Sequence, residues 1–210
     1  MASRIIEIFE NYEINKKIKK RLPYLFQLAE LESSRAGKTG MEVGSVRERI
    51  LVSLLIYSFG EKNVETEIPI TEMGVDVKVF GEPLSIKTIT GKSLSGVKLI
   101  WTVDAQKAIE FRENYYPQCD ILLVQINWND TGGFYYFPVE AQRRIFKIIG
   151  REKYIKLPTP GTNPRGVEIT KEALLALIED RESKALLINW ERTNIAFNAY
   201  KRWVDLWREE

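Results

Sequence analysis

The chain has 210 residues, of which 44% are hydrophobic and 29% are charged, and this composition excludes a wholly disordered protein. It contains no histidine and one cysteine, which excludes catalysis by Ser-His-Asp or Cys-His groups, zinc sites built from Cys and His, and a disulfide within the chain. The net charge of +2 is too small to indicate a nucleic-acid partner by itself. Any chemistry must therefore use carboxylates, lysine, arginine, hydroxyls or a metal bound by oxygen.

The N-terminal part of the chain alternates helical and glycine-rich segments. Apolar residues at helical spacing over 4–33 predict one or two amphipathic helices, with Pro23 as the break. Three glycines within residues 33–45 predict a loop. Ser45 followed three residues later by Glu48 matches a capping box, so we expect a helix that begins at Ser45 and is closed by Gly60.

The middle of the chain has the character of a sheet. Short apolar and β-branched runs predict strands at 64–70, 75–80, 84–89, 119–128 and 134–137. Helical patterns lie between and after them, at about 101–114, 139–149, 171–180 and about 194–209. This order predicts an α/β fold, a central mixed sheet flanked by helices, in one domain over 1–210. The core would cover about 45–150, with the helices of 4–33 and 171–209 as additions.

Targeting signals do not stand out. No segment reaches the roughly 18 consecutive apolar residues of a membrane span, and the N-terminal sequence carries acids early and does not resemble a signal peptide. The single Cys119 fits a reducing compartment. These features predict a soluble cytoplasmic protein that does not associate with a membrane.

The most informative stretch is the predicted hairpin of residues 74–87. Strand side chains alternate between faces, so Asp76, Ser85 and Lys87 emerge on one side if their apolar neighbours enter the core. An aspartate and a lysine on adjacent strands, with the carboxylate of Glu48 on the preceding helix, are typical of a site that cleaves phosphodiesters. The alternative is an exposed ion pair between Asp76 and Lys87, worth under ~1 kcal/mol.

These residues and their order resemble the PD-(D/E)XK nuclease family, over about residues 45–137. The resemblance implies the restriction-endonuclease-like core of that family, with Asp76, Lys87 and Glu48 at its aspartate, its lysine and the acid of its preceding helix. Val75 stands in place of the proline, and Ser85 replaces the second acid, which removes a metal ligand. A nearby glutamate can replace the missing acid; the candidates are Glu65, Glu67, Glu72 and Glu82.

Longer stretches resemble a narrower group, the type II restriction endonucleases of the ThaI kind. The stretches are 67–70, 84–88, 96–102 and 120–126. The resemblance covers nearly the whole chain and implies cleavage of double-stranded DNA at the short palindrome CGCG. Because a palindrome presents the same half-site twice, we also expect a two-fold homodimer on DNA.

The cofactor that suits this chemistry is Mg²⁺, a hard cation that prefers oxygen ligands and keeps several waters. We expect Asp76 to bind it directly, the backbone carbonyl of Ile86 to add a ligand, and Glu48 to act directly or through a water. Lys87 would orient the attacking water and offset the developing negative charge. Ser85 stays in the predicted catalytic group as the residue at the position of the second acid.

Phosphate contacts are predicted after the hairpin. Lys92, Ser93 and Lys98 lie in or next to a glycine-flanked loop that follows the catalytic lysine. Lysines and backbone N–H groups in such a loop are suited to binding DNA phosphates. The alternative is an ordinary connection with solvated lysines.

Two further kinds of DNA contact are predicted. Arg165, in a loop rich in proline and glycine, is the best candidate for a bidentate contact to guanine, and Arg143 is a weaker one. Met41 lies in a polar, glycine-rich loop just before the helix of Glu48. It either folds back to fill the core or inserts between base pairs as a wedge.

Two other functions stay open at this point. One is a structure-selective nuclease of the same fold, such as a junction resolvase or a repair enzyme. The other is a DNA-binding module without catalytic activity, for which the replacement of the second acid by Ser85 is the argument.

Overall fold

The computed structural model describes residues 3–35, 38–40, 42–69, 71–72, 74–159 and 166–209. Within them the helices are α1 (Ile6–Glu10), α2 (Tyr12–Glu32), α3 (Val43–Phe59), α4 (Ala105–Asn114), α5 (Val139–Ile149), α6 (Arg151–Tyr154), α7 (Lys171–Glu179) and α8 (Lys201–Leu206), with a 3₁₀ turn at Glu61–Asn63. The strands are β1 (Ser34–Arg35), β2 (Lys38–Thr39), β3 (Val64–Glu65), β4 (Val77–Val79), β5 (Glu82–Thr90), β6 (Lys98–Ile100), β7 (Asp120–Ile126), β8 (Thr131–Phe137), β9 (Ile155–Lys156), β10 (Val167–Ile169) and β11 (Lys184–Asn189).

The central sheet is mixed, as the sequence predicted. In the described residues its strand order is β11-β8-β7-β5-β4-β3. β5 and β7 run parallel, and the other neighbouring pairs are antiparallel. Parallel neighbours need a crossover connection, and here it passes through β6 and α4. A smaller sheet, ordered β6-β10-β9, lies beside the crossover.

Helices cover both faces of the sheet, and the buried strand β7 shows the division. Leu122 and Val124 belong to the apolar cluster that includes residues of α1, α2 and α3. Ile121 and Leu123 belong to a second cluster, which includes residues of α4, α5 and α7. Because strand side chains alternate, one nearly continuous apolar run supplies both clusters. The α/β fold class is therefore confirmed.

The N-terminal helices differ from the prediction in where the break falls. Pro23 lies inside α2, and the break is at Asn11, whose side chain accepts a hydrogen bond from the Ile14 N–H. A proline within a helix removes one N–H group, which here would have bonded to the carbonyl of Lys19. Lys19 is exposed, so water can hydrate that carbonyl. Among the described residues, no helix is both long and apolar enough to cross a bilayer.

Helix α3 begins earlier than predicted. Its first residue is Val43 and its N-cap position is Glu42, so Ser45 lies inside the first turn and the predicted capping box is wrong. The segment before α3, predicted as a loop, contains the short antiparallel pair of β1 and β2. The end of α3 agrees with the prediction, because Gly60 adopts a φ of 84° there.

The C-terminal part departs most from the prediction. Residues 184–189 form β11, an edge strand that pairs along its whole length with β8 and that the sequence did not reveal. The helix expected at about 194–209 is reduced to α8. The helix expected at about 101–114 begins at Ala105, because Asp104 caps it by accepting from the N–H groups of Gln106 and Lys107. Of the strand expected at 64–70, the described residues 64–69 form only β3.

Candidate functional site

One carboxylate oxygen gathers the hairpin residues predicted to form the site. Asp76 lies just before β4, and its N–H donates to the Leu84 carbonyl at 3.0 Å. Its Oδ2 accepts from Ser85 Oγ at 3.1 Å, from Ile86 N at 2.6 Å and from Lys87 Nζ at 3.3 Å. The structure therefore brings Asp76, Ser85 and Lys87 together on one side of the hairpin, in the arrangement that strand alternation predicted.

The backbone of β5 is open on the side that faces Asp76. β4 pairs with β5 only as far as Val77 opposite Leu84, so β5 continues without this neighbour. Along a strand the N–H and C=O of one residue point the same way. Since the Ile86 N–H points at Asp76, the Ile86 carbonyl faces the same side. A backbone oxygen is thus available next to the carboxylate.

Glu48, on α3, is a second carboxylate in the neighbourhood of Asp76 and Lys87. Burial raises the pKa of Glu48, the charge of Asp76 raises it further, and Lys87 opposes both effects. Glu48 is therefore close enough to Asp76 and to Lys87 for their charges to act on it. No group of three or more acidic, Cys or His residues that could hold a metal occurs among the described residues.

The donor set is nevertheless one that suits Mg²⁺. This cation is usually held by one or two carboxylates, with waters and substrate phosphate oxygens completing the octahedron. The carboxylates at hand are those of Asp76 and Glu48, and the Ile86 carbonyl faces the same side as Asp76. In the part of the chain that the structure describes, all three hydrogen bonds to Asp76 reach Oδ2, so Oδ1 is left for a cation.

The glutamates proposed as replacements for the missing acid lie elsewhere. Glu72 forms an ion pair with Lys78 at 2.8 Å, and Glu65 lies across from Lys78 in the sheet register. Glu82 begins β5 opposite Val79, at the turn end of the hairpin and away from Asp76. No third acid thus joins Asp76 and Glu48 among the described residues. Instead the Ser85 side chain, in a residue that is 3% exposed, holds Asp76 in place.

Two ionisable residues stand where β7 begins, and one of them, Cys119, lies near Asp76 and Lys87. Burial raises the pKa of Cys119 to about 11, so its thiol is neutral at ordinary pH and is a poor nucleophile. Asp120 accepts from the Val139 N–H at 2.7 Å and from the Tyr136 hydroxyl, and burial raises its pKa. Asp120 therefore holds the start of α5 against the sheet.

A buried charged network, which the sequence did not reveal, holds the helix that carries Glu48. The carboxylate of Glu30, on α2, accepts from Arg47 at 2.6 Å, from the Trp128 indole at 2.8 Å and from Arg192 at 2.7 Å. Arg47 also donates to Thr90 Oγ1 at 3.1 Å, at the end of β5. Burial lowers the pKa of Arg47, although Glu30 opposes this effect.

This network connects the elements that carry the site. Arg47 directly precedes Glu48 on α3, and Thr90 ends the strand that carries Lys87. Glu30 therefore fixes the position of α3 relative to β5. A glutamate in a charged helical sequence gives no sign of burial, so only the tertiary contacts reveal this role.

Two of the residues predicted to contact DNA, Lys92 and Ser93, lie in an exposed loop. Lys92 has an exposed side chain 3.3 Å from Asp130, and Ser93 is also exposed. Gln125 fixes their loop by donating to the carbonyls of Gly91 and Lys92, each at 3.1 Å. The loop is therefore anchored at its base while its charged side chain is accessible.

Lys98 and Arg143 are engaged by the protein itself. Lys98 pairs with Glu168 and lies over the Trp101 ring. Arg143 pairs with Glu140 at 2.8 Å and donates to the Pro117 carbonyl at 3.0 Å. A DNA phosphate or base would have to compete with these partners. Met41 and Arg165 lie outside the described residues.

Comparisons with known proteins agree with this geometry. Residues 8–209 match the family described as "Restriction endonuclease ThaI". A solved structure described as "Restriction endonuclease in complex with substrate DNA" is similar to the chain with a TM-score of 0.92 and 61% sequence identity, over 98% of this chain and 99% of that one. No curated protein matches the chain.

Proposed function

The chain belongs to the restriction endonuclease ThaI family and is a type II restriction endonuclease, and we propose that it hydrolyses double-stranded DNA at CGCG with Mg²⁺ held by Asp76 and Glu48. The observation that carries the proposal is the convergence on Asp76 Oδ2 of Ser85, Ile86 and Lys87. The similar solved structure, described as a complex with substrate DNA, supports duplex DNA as the substrate.

Each residue has a separate task in this proposal. Bound Mg²⁺ would polarise the scissile phosphate and lower the pKa of a bound water. Asp76 offers Oδ1 to the cation, while its three hydrogen bonds keep the carboxylate from rotating. Glu48 and the Ile86 carbonyl would complete the protein ligands. Waters and a phosphate oxygen would fill the other positions.

Lys87 orients the attacking water in this proposal. Its side chain is 19% exposed, and its ammonium lies 3.3 Å from Asp76 Oδ2. A cation fixed at this position can donate to a water beside the phosphate and stabilise the negative charge that develops there. The surroundings of Lys87 thus favour an orienting and charge-stabilising role.

A digestion experiment tests the proposal. A duplex with one CGCG site, a duplex with GCGC in its place and a branched duplex are incubated with the protein in Mg²⁺ or in EDTA. We expect cleavage of the CGCG duplex alone, and only in Mg²⁺. Cleavage restricted to the branched duplex would instead indicate a structure-selective nuclease, and binding of CGCG without cleavage would indicate a non-catalytic module.

The proposed working species is a two-fold homodimer on DNA, in the cytoplasm where chromosomal and incoming DNA are accessible. Two identical half-sites are matched by two identical subunits related by a dyad. Sedimentation with a short CGCG duplex should give two chains per duplex. One chain per duplex at saturation would refute the dimer.

A further inference from the structure

The last part of the chain, residues 194–209, has the composition of an interface but is exposed. We call it the C-terminal arm. Tyr200 is 75% exposed, Trp203 57% and Trp207 89%, and Val204 and Leu206 are also exposed. No residue of the arm is buried.

A helix of this kind needs a partner. α8 has six residues, and helices shorter than about 12 residues are marginal in water unless they pack against other structure. Large aromatic side chains are seldom left this exposed together, and contiguous apolar patches on a surface usually mark an interaction site. Ile195 and Phe197 are half-buried, but the aromatic residues of α8 and its flanks are exposed, so a second molecule is needed to cover them.

The arm leaves the fold from a fixed point. Just before it, Thr193 makes two hydrogen bonds with Gln27, its N–H donating at 2.9 Å and its carbonyl accepting at 2.7 Å. Arg192 bonds to Glu30 and lies over the Trp128 ring, 4.2 Å from its centroid. These contacts hold the base of the arm to α2, so the exposed aromatic residues are presented from a rigid support.

The charges of the arm do not suit a DNA clamp. Asp205 pairs with Lys201 and also lies 3.7 Å from Arg208, so one carboxylate engages two of the cations that would otherwise reach phosphates. Aromatic side chains stack on bases only where the bases are unpaired or pried apart, as in single strands. A protein surface fits the arm better than a DNA duplex.

We propose that the C-terminal arm packs on a second copy of this chain and forms a dimer clasp. An aromatic side chain buries about 150–250 Å², so the three exposed rings offer roughly 450 Å² per arm. Two arms, together with the surfaces they cover, would bury about 1,800 Å², which lies within the ~1,200–2,000 Å² of stable interfaces. The choice of a second copy rests on the proposed function, because a palindromic site calls for two subunits.

Sedimentation of the free protein tests the clasp. We expect two chains per particle at micromolar concentration without DNA, and one chain for the variant Trp203→Ala/Trp207→Ala. Trp101→Ala is the matched control, because Trp101 is 72% exposed and lies outside the arm. This control should remain a dimer. A single chain for the wild-type protein, or two chains for the arm variant, would overturn the proposal.

A second arm variant tests the clasp independently of whether the double tryptophan variant folds. Val204→Glu adds a charge to the exposed side of α8, where Val204 is 43% exposed. It should also give one chain, with an unchanged far-ultraviolet circular dichroism spectrum, and a dimeric Val204→Glu protein would contradict the clasp. In both arm variants we expect cleavage at low protein concentration to fall by about tenfold or more and to recover as the concentration rises, as mass action requires.

This design separates the two proposals. If the wild-type protein is a dimer that the arm variants dissociate, the clasp stands even if no CGCG duplex is cut. If CGCG is cut and the arm variants remain dimeric, the clasp fails and the proposed function stands.

Discussion

Replacement of Glu30 tests how the helix that carries Glu48 is held. The side chains of Arg47 and Glu30 are 7% and 9% exposed, and they are joined at 2.6 Å. Glu30→Leu keeps a similar volume but leaves the guanidinium of Arg47 buried without a counter-charge. It also removes the acceptor of the Trp128 indole. The Arg47 guanidinium would then be a buried donor that water cannot easily reach, and the half-buried Trp128 indole would lose its partner.

The expected cost is large. Removal of one partner of a buried ion pair costs about 3–5 kcal/mol, because a buried charge is left uncompensated. The bond from Arg192 adds little, because its side chain is 45% exposed and water can replace the carboxylate. Since the free energy of unfolding of typical domains is only about 5–15 kcal/mol, Glu30→Leu should remove a large part of it in this protein.

Urea unfolding followed by tryptophan fluorescence measures this cost. The midpoint should fall with an unchanged m-value. Glu32→Ala, at an exposed position in the same helix, is the control and should change the stability by no more than about 0.5 kcal/mol. The double variant Glu30→Leu/Arg47→Met should be more stable than Glu30→Leu, because an apolar pair replaces the unpaired charge. A loss below about 1 kcal/mol, or a double variant no more stable than the single one, would refute the reasoning.

Three further predictions concern the site and the sheet. Asp76→Ala should reduce the single-turnover cleavage rate by ~10³-fold or more, because it removes the proposed metal ligand. Ser85→Ala loses one hydrogen bond to a carboxylate, so its cleavage rate should stay within about tenfold of the wild-type rate. An inactive Ser85→Ala would contradict this. Burial and the charge of Asp76 raise the pKa of Glu48, so the folded state loses stability as pH rises through that raised pKa. Glu48→Gln should therefore have a higher melting temperature than the wild type at neutral pH. A lower melting temperature would contradict this. A Cβ on Gly132 would lie 2.2 Å from the Gln125 carbonyl oxygen, so Gly132→Ala should cost about 1–3 kcal/mol in urea unfolding. Gly44→Ala, in open space within α3, is its control and should stabilise by about 0.5–1 kcal/mol.

Local patterns of sequence were sufficient for the hairpin of the site. Alternation along two short strands placed Asp76, Ser85 and Lys87 on one side, and the structure brings them together. Helix α5 was also predicted with its observed bounds. Both features depend on spacing within about a dozen residues, which a single sequence records directly.

Features that depend on distant partners were missed. The run that forms β11 has only six residues, and its strand identity comes from pairing with β8, whose residues lie about 50 positions earlier. The burial of Glu30 likewise comes from Arg47, Trp128 and Arg192, which are spread along the chain. The predicted helix break at Pro23 is wrong, because packing of α2 on α3 and the sheet outweighs the local preference of proline.

The open edge of β5 makes one backbone amide a sensor of the site. The Ile86 N–H donates to a side chain, Asp76 Oδ2, whereas most amides within a sheet donate to a neighbouring strand. Its exchange rate and its NMR frequency therefore follow the charge and position of that carboxylate. Binding of a divalent cation to Asp76 can thus be followed at Ile86 before any DNA is added. Occupancy of the site and cleavage of the substrate become two separately measurable quantities.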